Sequence, residues 1–65
     1  MKFKRVYKGC YETKNGKYKI EQNETTKEWH LYVADKEERD GWCWSTEGET
    51  LKELKELANR KEQQN

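Results

Sequence analysis

The sequence predicts a single α+β domain: an antiparallel sheet of three to four strands, in the order β-β-β-β-α, with one C-terminal helix packed on one face. Three observations predict it, namely an Asn15-Gly16 turn, an alternating segment from Trp29 to Val33, and an amphipathic segment that begins at Thr50. A chain of 65 residues holds one hydrophobic core, so residues 1–65 are expected to form one domain.

The Asn15-Gly16 pair predicts a two-residue hairpin turn, because asparagine and glycine tolerate the positive φ that both central residues adopt in such a turn. The turn joins strands predicted at residues 2–12 and 17–22. It sets a register in which Tyr11 lies opposite Ile20, and side chains then alternate between the two faces. One face is predicted to be the core, with these residues: Phe3, Tyr7, Tyr11, Tyr18 and Ile20.

A third strand is predicted at residues 28–34. Trp29, Leu31 and Val33 alternate there with His30 and Tyr32. The first set continues the apolar core, so His30 and Tyr32 are expected on the opposite face.

A short fourth strand is predicted at residues 41–45, with Trp42 and Trp44 on one face. Two placements are open for this pair. Large aromatic residues fill the core of small domains that have few aliphatic residues, which favours packing against the helix. In the other placement the pair forms an exposed patch of the kind that dominates protein interfaces. The core placement is the preferred one.

The helix is predicted at residues 50–62. Thr50 and Glu53 have the spacing of a capping box, with Thr50 as the N-cap. The apolar stripe that should lie on the sheet consists of Leu51, Leu54, Leu57 and Ala58. Residues 63–65 are expected to fray.

The net charge of +1 conceals an uneven distribution, since residues 1–20 carry seven basic residues and one acidic residue. The charge pattern suggests two candidate surfaces. A basic sheet face that could bind nucleic acid would consist of Lys4, Lys8, Lys17, Lys19, His30 and Tyr32. An acidic surface for a protein partner would consist of Asp35, Glu37, Glu38, Asp40, Glu47 and Glu49. Exposed lysines also prevent strands from aggregating, which is an equally good explanation of the basic face.

Catalysis is not expected, because the chain has one histidine, two cysteines and no glycine-rich phosphate loop. No cofactor is expected. Cys10, His30 and Cys43 lack the close cysteine pair of most structural zinc sites, so no metal site is predicted. The sequence has no apolar run that predicts an export signal or a membrane span, so a cytoplasmic protein with reduced thiols is expected.

Part of the sequence resembles a known family. The pattern Gly16-x-Tyr18-x-Ile20, the segment Trp29 to Val33 and the helix start at Thr50 resemble the small three-stranded-sheet-plus-helix DNA-binding domain of phage and transposon integrases. The likeness covers about residues 15–60 and implies that the sheet contacts DNA in the major groove through Lys17, Lys19, His30 and Tyr32. In size and in its richness in lysine and glutamate, the chain also resembles small accessory proteins of phages and mobile elements, some of which inhibit host enzymes.

Together these observations predict a small non-enzymatic binding module of phage or mobile-element type. It would dock on a host macromolecule, preferably a protein that handles nucleic acid, as an inhibitor or adaptor. The alternative is a DNA-binding domain that uses the basic sheet face. An open sheet edge would also permit a homodimer.

Overall fold

The computed structural model describes residues 2–63 and contains a five-stranded antiparallel sheet followed by one helix. The strands are β1 (Phe3–Tyr7), β2 (Cys10–Thr13), β3 (Tyr18–Gln22), β4 (Trp29–Ala34) and β5 (Trp42–Gly48), and the helix is α1 (Leu51–Gln63). Strands that follow one another in sequence are neighbours in the sheet. The predicted α+β class with a C-terminal helix is confirmed, and the sheet has one strand more than the upper number predicted.

The additional strand arises because residues 2–12 form two strands, not the single strand predicted. Gly9 has a φ of +85°, a backbone conformation that glycine adopts without steric cost, and the chain reverses there so that Cys10 pairs with Tyr7. The β1–β2 register also shifts between Arg5 and Tyr7, which leaves Val6 as the extra residue of a β-bulge. The bulge turns Tyr7 to the face away from the helix, so its predicted place in the core is wrong.

The β2–β3 hairpin has the predicted register, with Tyr11 opposite Ile20, but a different turn. Gly16 alone of the Asn15-Gly16 pair has a positive φ, of +74°. Asn15 contributes through its side chain instead: its Oδ1 accepts hydrogen bonds from the Lys17 N–H at 3.0 Å and from the Thr13 hydroxyl at 2.7 Å. The two-residue turn with two positive φ values was therefore a wrong prediction, although the paired residues are the predicted ones.

The core lies between the sheet and α1. Its buried members are Tyr18, Ile20, Leu31, Leu54 and Ala58, and Phe3, Trp29, Val33, Leu51 and Leu57 pack around them. Each fully buried leucine contributes roughly 2 kcal/mol through loss of contact with water. The apolar stripe of the helix was thus predicted correctly, and the helix closes one face of the sheet.

The helix begins as predicted, because the Thr50 hydroxyl accepts a hydrogen bond from the Glu53 N–H at 3.2 Å. It continues through Gln63, a residue that was expected to fray. Residues 64–65, the remainder of the predicted tail, lie outside the described residues. Within residues 2–63, no helix has both the length and the apolar character needed to cross a membrane.

Candidate functional site

No strand or helix of residues 2–63 packs on the face of the sheet opposite α1. Since Tyr18, Ile20 and Leu31 are buried beneath the helix, the residues that alternate with them point to the other side. We call this side the open face. From the strand registers, its residues are Lys4, Tyr7, Cys10, Glu12, Lys19, Glu21, His30, Tyr32, Ala34, Trp42, Trp44 and Glu47.

Both tryptophans of β5 lie on the open face, so the prediction that they fill the core is wrong. Thr46 lies opposite the buried Leu31, and Trp44 lies opposite Tyr32, which leaves Ser45 as the extra residue of a bulge. Unbroken alternation from Thr46 would have pointed Trp44 at the helix. The bulge reverses the alternation, and Trp44 is 53% exposed as a result.

The rings of Tyr32, Trp42 and Trp44 form an aromatic cluster on the open face, and neighbouring side chains hold it in place. The Lys19 ammonium lies 5.1 Å from the ring centroid of Tyr32 and 4.9 Å from that of Trp42, within the range of cation–π attraction. The Trp44 Nε1–H donates a hydrogen bond of 3.1 Å to Nδ1 of His30. Partial burial raises the pKa of the Tyr32 hydroxyl. Rings fixed before binding lose less conformational entropy on contact with a partner.

The basic sheet face is not a continuous surface in the structure. Lys19, His30 and Tyr32 are neighbours, as predicted, but the three other predicted members are separated from them: Lys4, Lys8 and Lys17. Lys4 lies on the open face two strands from Lys19, with Glu12 opposite both. Lys8 belongs to the β1–β2 turn. The Lys17 ammonium points toward the end of α1, where it lies 3.4 Å from a Glu62 carboxylate oxygen.

The glutamates of the open face explain this difference. Glu12 and Glu21 alternate with core residues in the same way as the lysines do, so they share the lysines' face. Glu21 also accepts a hydrogen bond of 2.7 Å from the Tyr7 hydroxyl, and this contact raises the pKa of Tyr7. The predicted set counted the lysines and omitted the acids between them.

The predicted acidic surface divides into two groups at opposite ends of β5. The first is the β4–β5 loop, residues 35–41. In this loop the Asp35 carboxylate accepts a hydrogen bond of 2.9 Å from the Glu37 N–H, and the Asp40 carboxylate accepts one of 3.0 Å from the Trp42 N–H. These two carboxylates therefore shape the loop, whereas Glu37 and Glu38 remain exposed.

The second group forms a cleft where β5 meets the helix. We call it the acidic cleft; it is lined by Glu28, Glu47, Gly48, Glu49 and Glu53. The pKa of Glu28 is raised because its carboxyl group forms a hydrogen bond with Glu47 and is repelled by the same charge. Glu28 and Glu53 were missing from the predicted set. The sequence signal for Glu28 was its position two residues before His30, which places both on one face of the strand.

Three groups in this region lie close enough to be considered as metal ligands. Ligand atoms of Glu28, His30 and Glu47 lie within 4.8 Å of one another. However, the Trp44 indole donates to Nδ1 of His30, so the neutral ring carries its proton on Nε2 and offers no free lone pair. A metal ion would have to break this hydrogen bond first, which makes the cluster a poor metal site as it stands.

The cysteines are not brought together. Cys10 is buried and lies on the open face. Cys43 is exposed and lies opposite Val33 in the edge strand β5, on the side of the sheet that faces the helix. Both thiols are free.

No protein-family model, curated protein or solved structure matches this chain. The resemblance to the integrase DNA-binding domain and to mobile-element accessory proteins therefore stays a prediction. Inference about what the chain binds has to start from the aromatic cluster and the acidic groups on either side of it.

Proposed function

We propose that the protein is a non-enzymatic binding module that docks on a partner protein through the aromatic cluster of its open face. The observation that carries this proposal is the exposure of Trp44 beside Trp42 and Tyr32 on an uncovered sheet. Tryptophan and tyrosine are the residues most enriched among those that dominate binding energy at protein interfaces. An aromatic residue buries about 150–250 Å² in all, and a partner would cover the part that is still exposed, which is about half in the case of Trp44.

The charges around the cluster favour a protein over a nucleic acid. The paired strand residues of the open face include two lysines, Lys4 and Lys19, and three glutamates, Glu12, Glu21 and Glu47, so their formal charge is −1 with His30 neutral. Binding to a phosphate backbone requires an excess of positive charge. An aromatic centre within a rim of balanced charges is the usual composition of a protein interface.

The acidic groups at the two ends of β5 refine the choice of partner. They favour encounter with a basic surface and disfavour an acidic one. Proteins that handle nucleic acid carry such basic surfaces. A module that covers one of them would act as an inhibitor, or as an adaptor if the partner stays active.

The proposal is tested by affinity capture from a lysate of the source cell with the tagged chain and two variants. The double variant Trp42→Ala/Trp44→Ala removes most of the cluster. The matched control is Tyr7→Ala, which removes an aromatic residue that is 56% exposed on the open face but outside the cluster. We expect the wild type and the control to capture the same dominant protein and the double variant to lose it.

If circular dichroism shows that all three chains are folded and the double variant captures as much of the protein as the wild type does, docking through the cluster is refuted. A parallel gel-shift titration tests the nucleic-acid alternative. A salt-sensitive shift that is abolished by Lys19→Glu would replace the protein partner with DNA or RNA.

A further inference from the structure

The two edges of the sheet differ in how they are protected against pairing with another strand. β1, at one edge, carries Lys4 and Arg5, the type of charged residue that discourages strand addition. β5, at the other edge, has seven residues and contains no lysine, arginine or proline. The bulge at Ser45 is its only irregularity in the pairing with β4. The β5 edge is thus the one prepared to accept a further strand.

The hydrogen-bond pattern identifies which backbone groups of β5 face outward. The Asp35 N–H donates to the Gly41 carbonyl at 2.9 Å, so these two residues form a hydrogen-bonded pair. Hydrogen-bonded and non-hydrogen-bonded pairs alternate along an antiparallel ladder, and the register between β4 and β5 stays constant through Cys43 and Trp44. Cys43 therefore bonds to β4, while the backbone groups of Trp42 and Trp44 point away from the sheet.

Part of this outward set is already occupied within the chain. The Trp42 N–H donates to Asp40, and the Trp44 carbonyl has a weak contact of 3.7 Å from the Cys43 thiol. Within residues 2–63, the Trp44 N–H and the Trp42 carbonyl remain for a partner strand. These groups belong to Trp42 and Trp44, two members of the aromatic cluster, of which Trp44 is exposed and Trp42 is half-buried.

A second copy of the chain is a poor occupant of this edge. Antiparallel pairing of β5 with its own copy would bring the acidic cleft of one chain toward the β4–β5 loop of the other. The loop carries four acidic and two basic residues, and the cleft is lined by four glutamates. Like charges facing each other across an interface oppose association. The same charges attract a strand that carries lysine or arginine.

We propose that β5 accepts an extended, basic segment of the partner protein as a sixth strand of the sheet. This inference rests on the proposed function and specifies the partner. The segment pairs with the outward backbone groups of Trp42 and Trp44 and places a lysine or arginine side chain in the acidic cleft. Its other side chains on the open face cover the aromatic cluster. On the helix side, Arg60 and Lys61 lie beside Thr46, so the segment is neutral or acidic there.

The test uses three synthetic peptides of one length. The first alternates threonine and lysine, the second alternates threonine and glutamate, and the third is the threonine–lysine peptide with the backbone amide of every lysine methylated. In an antiparallel sixth strand the lysines share the open face with Trp42 and Trp44, so the lysine amides are the ones that point at β5. Methylation removes backbone donors and leaves the charge unchanged, so it separates strand pairing from general electrostatic attraction. Binding is measured by NMR titration at low salt, together with hydrogen exchange of the Trp44 amide.

We expect the threonine–lysine peptide to bind at least tenfold more tightly than the two others, and to slow exchange of the Trp44 amide. The double variant Glu47→Gln/Glu49→Gln should weaken this binding by about 2- to 30-fold, since each exposed ion pair contributes about 1.4- to 5-fold. The control Glu24→Gln/Glu56→Gln, which neutralises two exposed glutamates outside the cleft, should bind as the wild type does.

Equal binding of the methylated peptide, an unchanged Trp44 amide or no binding of the threonine–lysine peptide would overturn strand addition. So would a dimer detected by light scattering whose formation protects the Trp44 amide, because the occupant would then be a second copy. The capture experiment distinguishes failure of strand addition from failure of the proposed function. If Trp42→Ala/Trp44→Ala loses the captured protein while methylation has no effect, the aromatic surface stands and the sixth strand does not.

Discussion

Replacing Trp44 with alanine should cost less stability than replacing a core residue, because Trp44 lies on the open face. Its side chain is 53% exposed, and its specific contacts are the hydrogen bond to His30 and the cross-strand pairing with Tyr32. The hydrogen bond contributes about 0.5–1.5 kcal/mol, and the cross-strand pair contributes about 0.2–1 kcal/mol. We therefore expect Trp44→Ala to lower the free energy of unfolding by about 0.7–2.5 kcal/mol.

Leu54→Ala provides the comparison within the core. Leu54 is fully buried between the sheet and the helix, and truncation of such a leucine costs about 2–5 kcal/mol. In a domain of this size, each 1 kcal/mol lowers the melting temperature by about 4–8 °C. The two variants should thus be separable in thermal melts as well as in urea titrations.

The assay is urea denaturation of the wild type and both variants, followed by far-UV circular dichroism with a shared denaturant slope. A loss for Trp44→Ala that equals or exceeds the loss for Leu54→Ala would refute the reasoning, because it would mean that the indole packs in the core. Trp42 and Trp44 would then be unavailable to a partner, and the proposed binding surface would be lost with them.

Three further predictions concern charge, capping and the thiols. Glu28→Gln should raise the melting temperature at neutral pH. A carboxyl group whose pKa is raised on folding binds more protons in the folded state than in the unfolded state. The charge of Glu28 beside Glu47 therefore lowers stability as the pH rises, and glutamine removes that charge. Calorimetry should show this gain vanishing at acidic pH, where both groups are protonated, and a gain that persists there would contradict the explanation. Thr50→Ala should cost about 0.5–2 kcal/mol in urea titrations by removing the N-cap acceptor, while Thr50→Ser should stay close to the wild type. A thiol reagent should label Cys43 rapidly in the native protein and Cys10 only after unfolding, because burial shields Cys10 and raises its pKa; equal native rates would place Cys10 at the surface.

Several features could be predicted from the sequence because local physical chemistry specifies them. Alternation along β3 and β4 identified Ile20 and Leu31 as core residues, and helical spacing identified Leu54. The capping box located the start of the helix at Thr50. In each case the signal lies within a few residues, and no distant contact is needed to interpret it.

The errors in the sequence interpretation have a common physical origin. A two-residue period is reversed by one added residue, so the bulges at Val6 and Ser45 moved Tyr7 and Trp44 to the face opposite the predicted one. The Gly9 reversal likewise turned one predicted strand into two. A bulge forms where cross-strand pairing and core packing favour it, and neither is encoded in the spacing of the bulged strand alone.

The sequence by itself determined the α+β class, the hairpin register and the helical face that closes the core, since turn chemistry and periodicity act over short distances. Only the tertiary structure decided which side chains share the open face, because that depends on the order of five strands and on two bulges. Strand order placed Glu12 between Lys4 and Lys19, and the bulge at Ser45 turned the tryptophans outward. The face that was predicted to be basic therefore has an aromatic cluster in the structure.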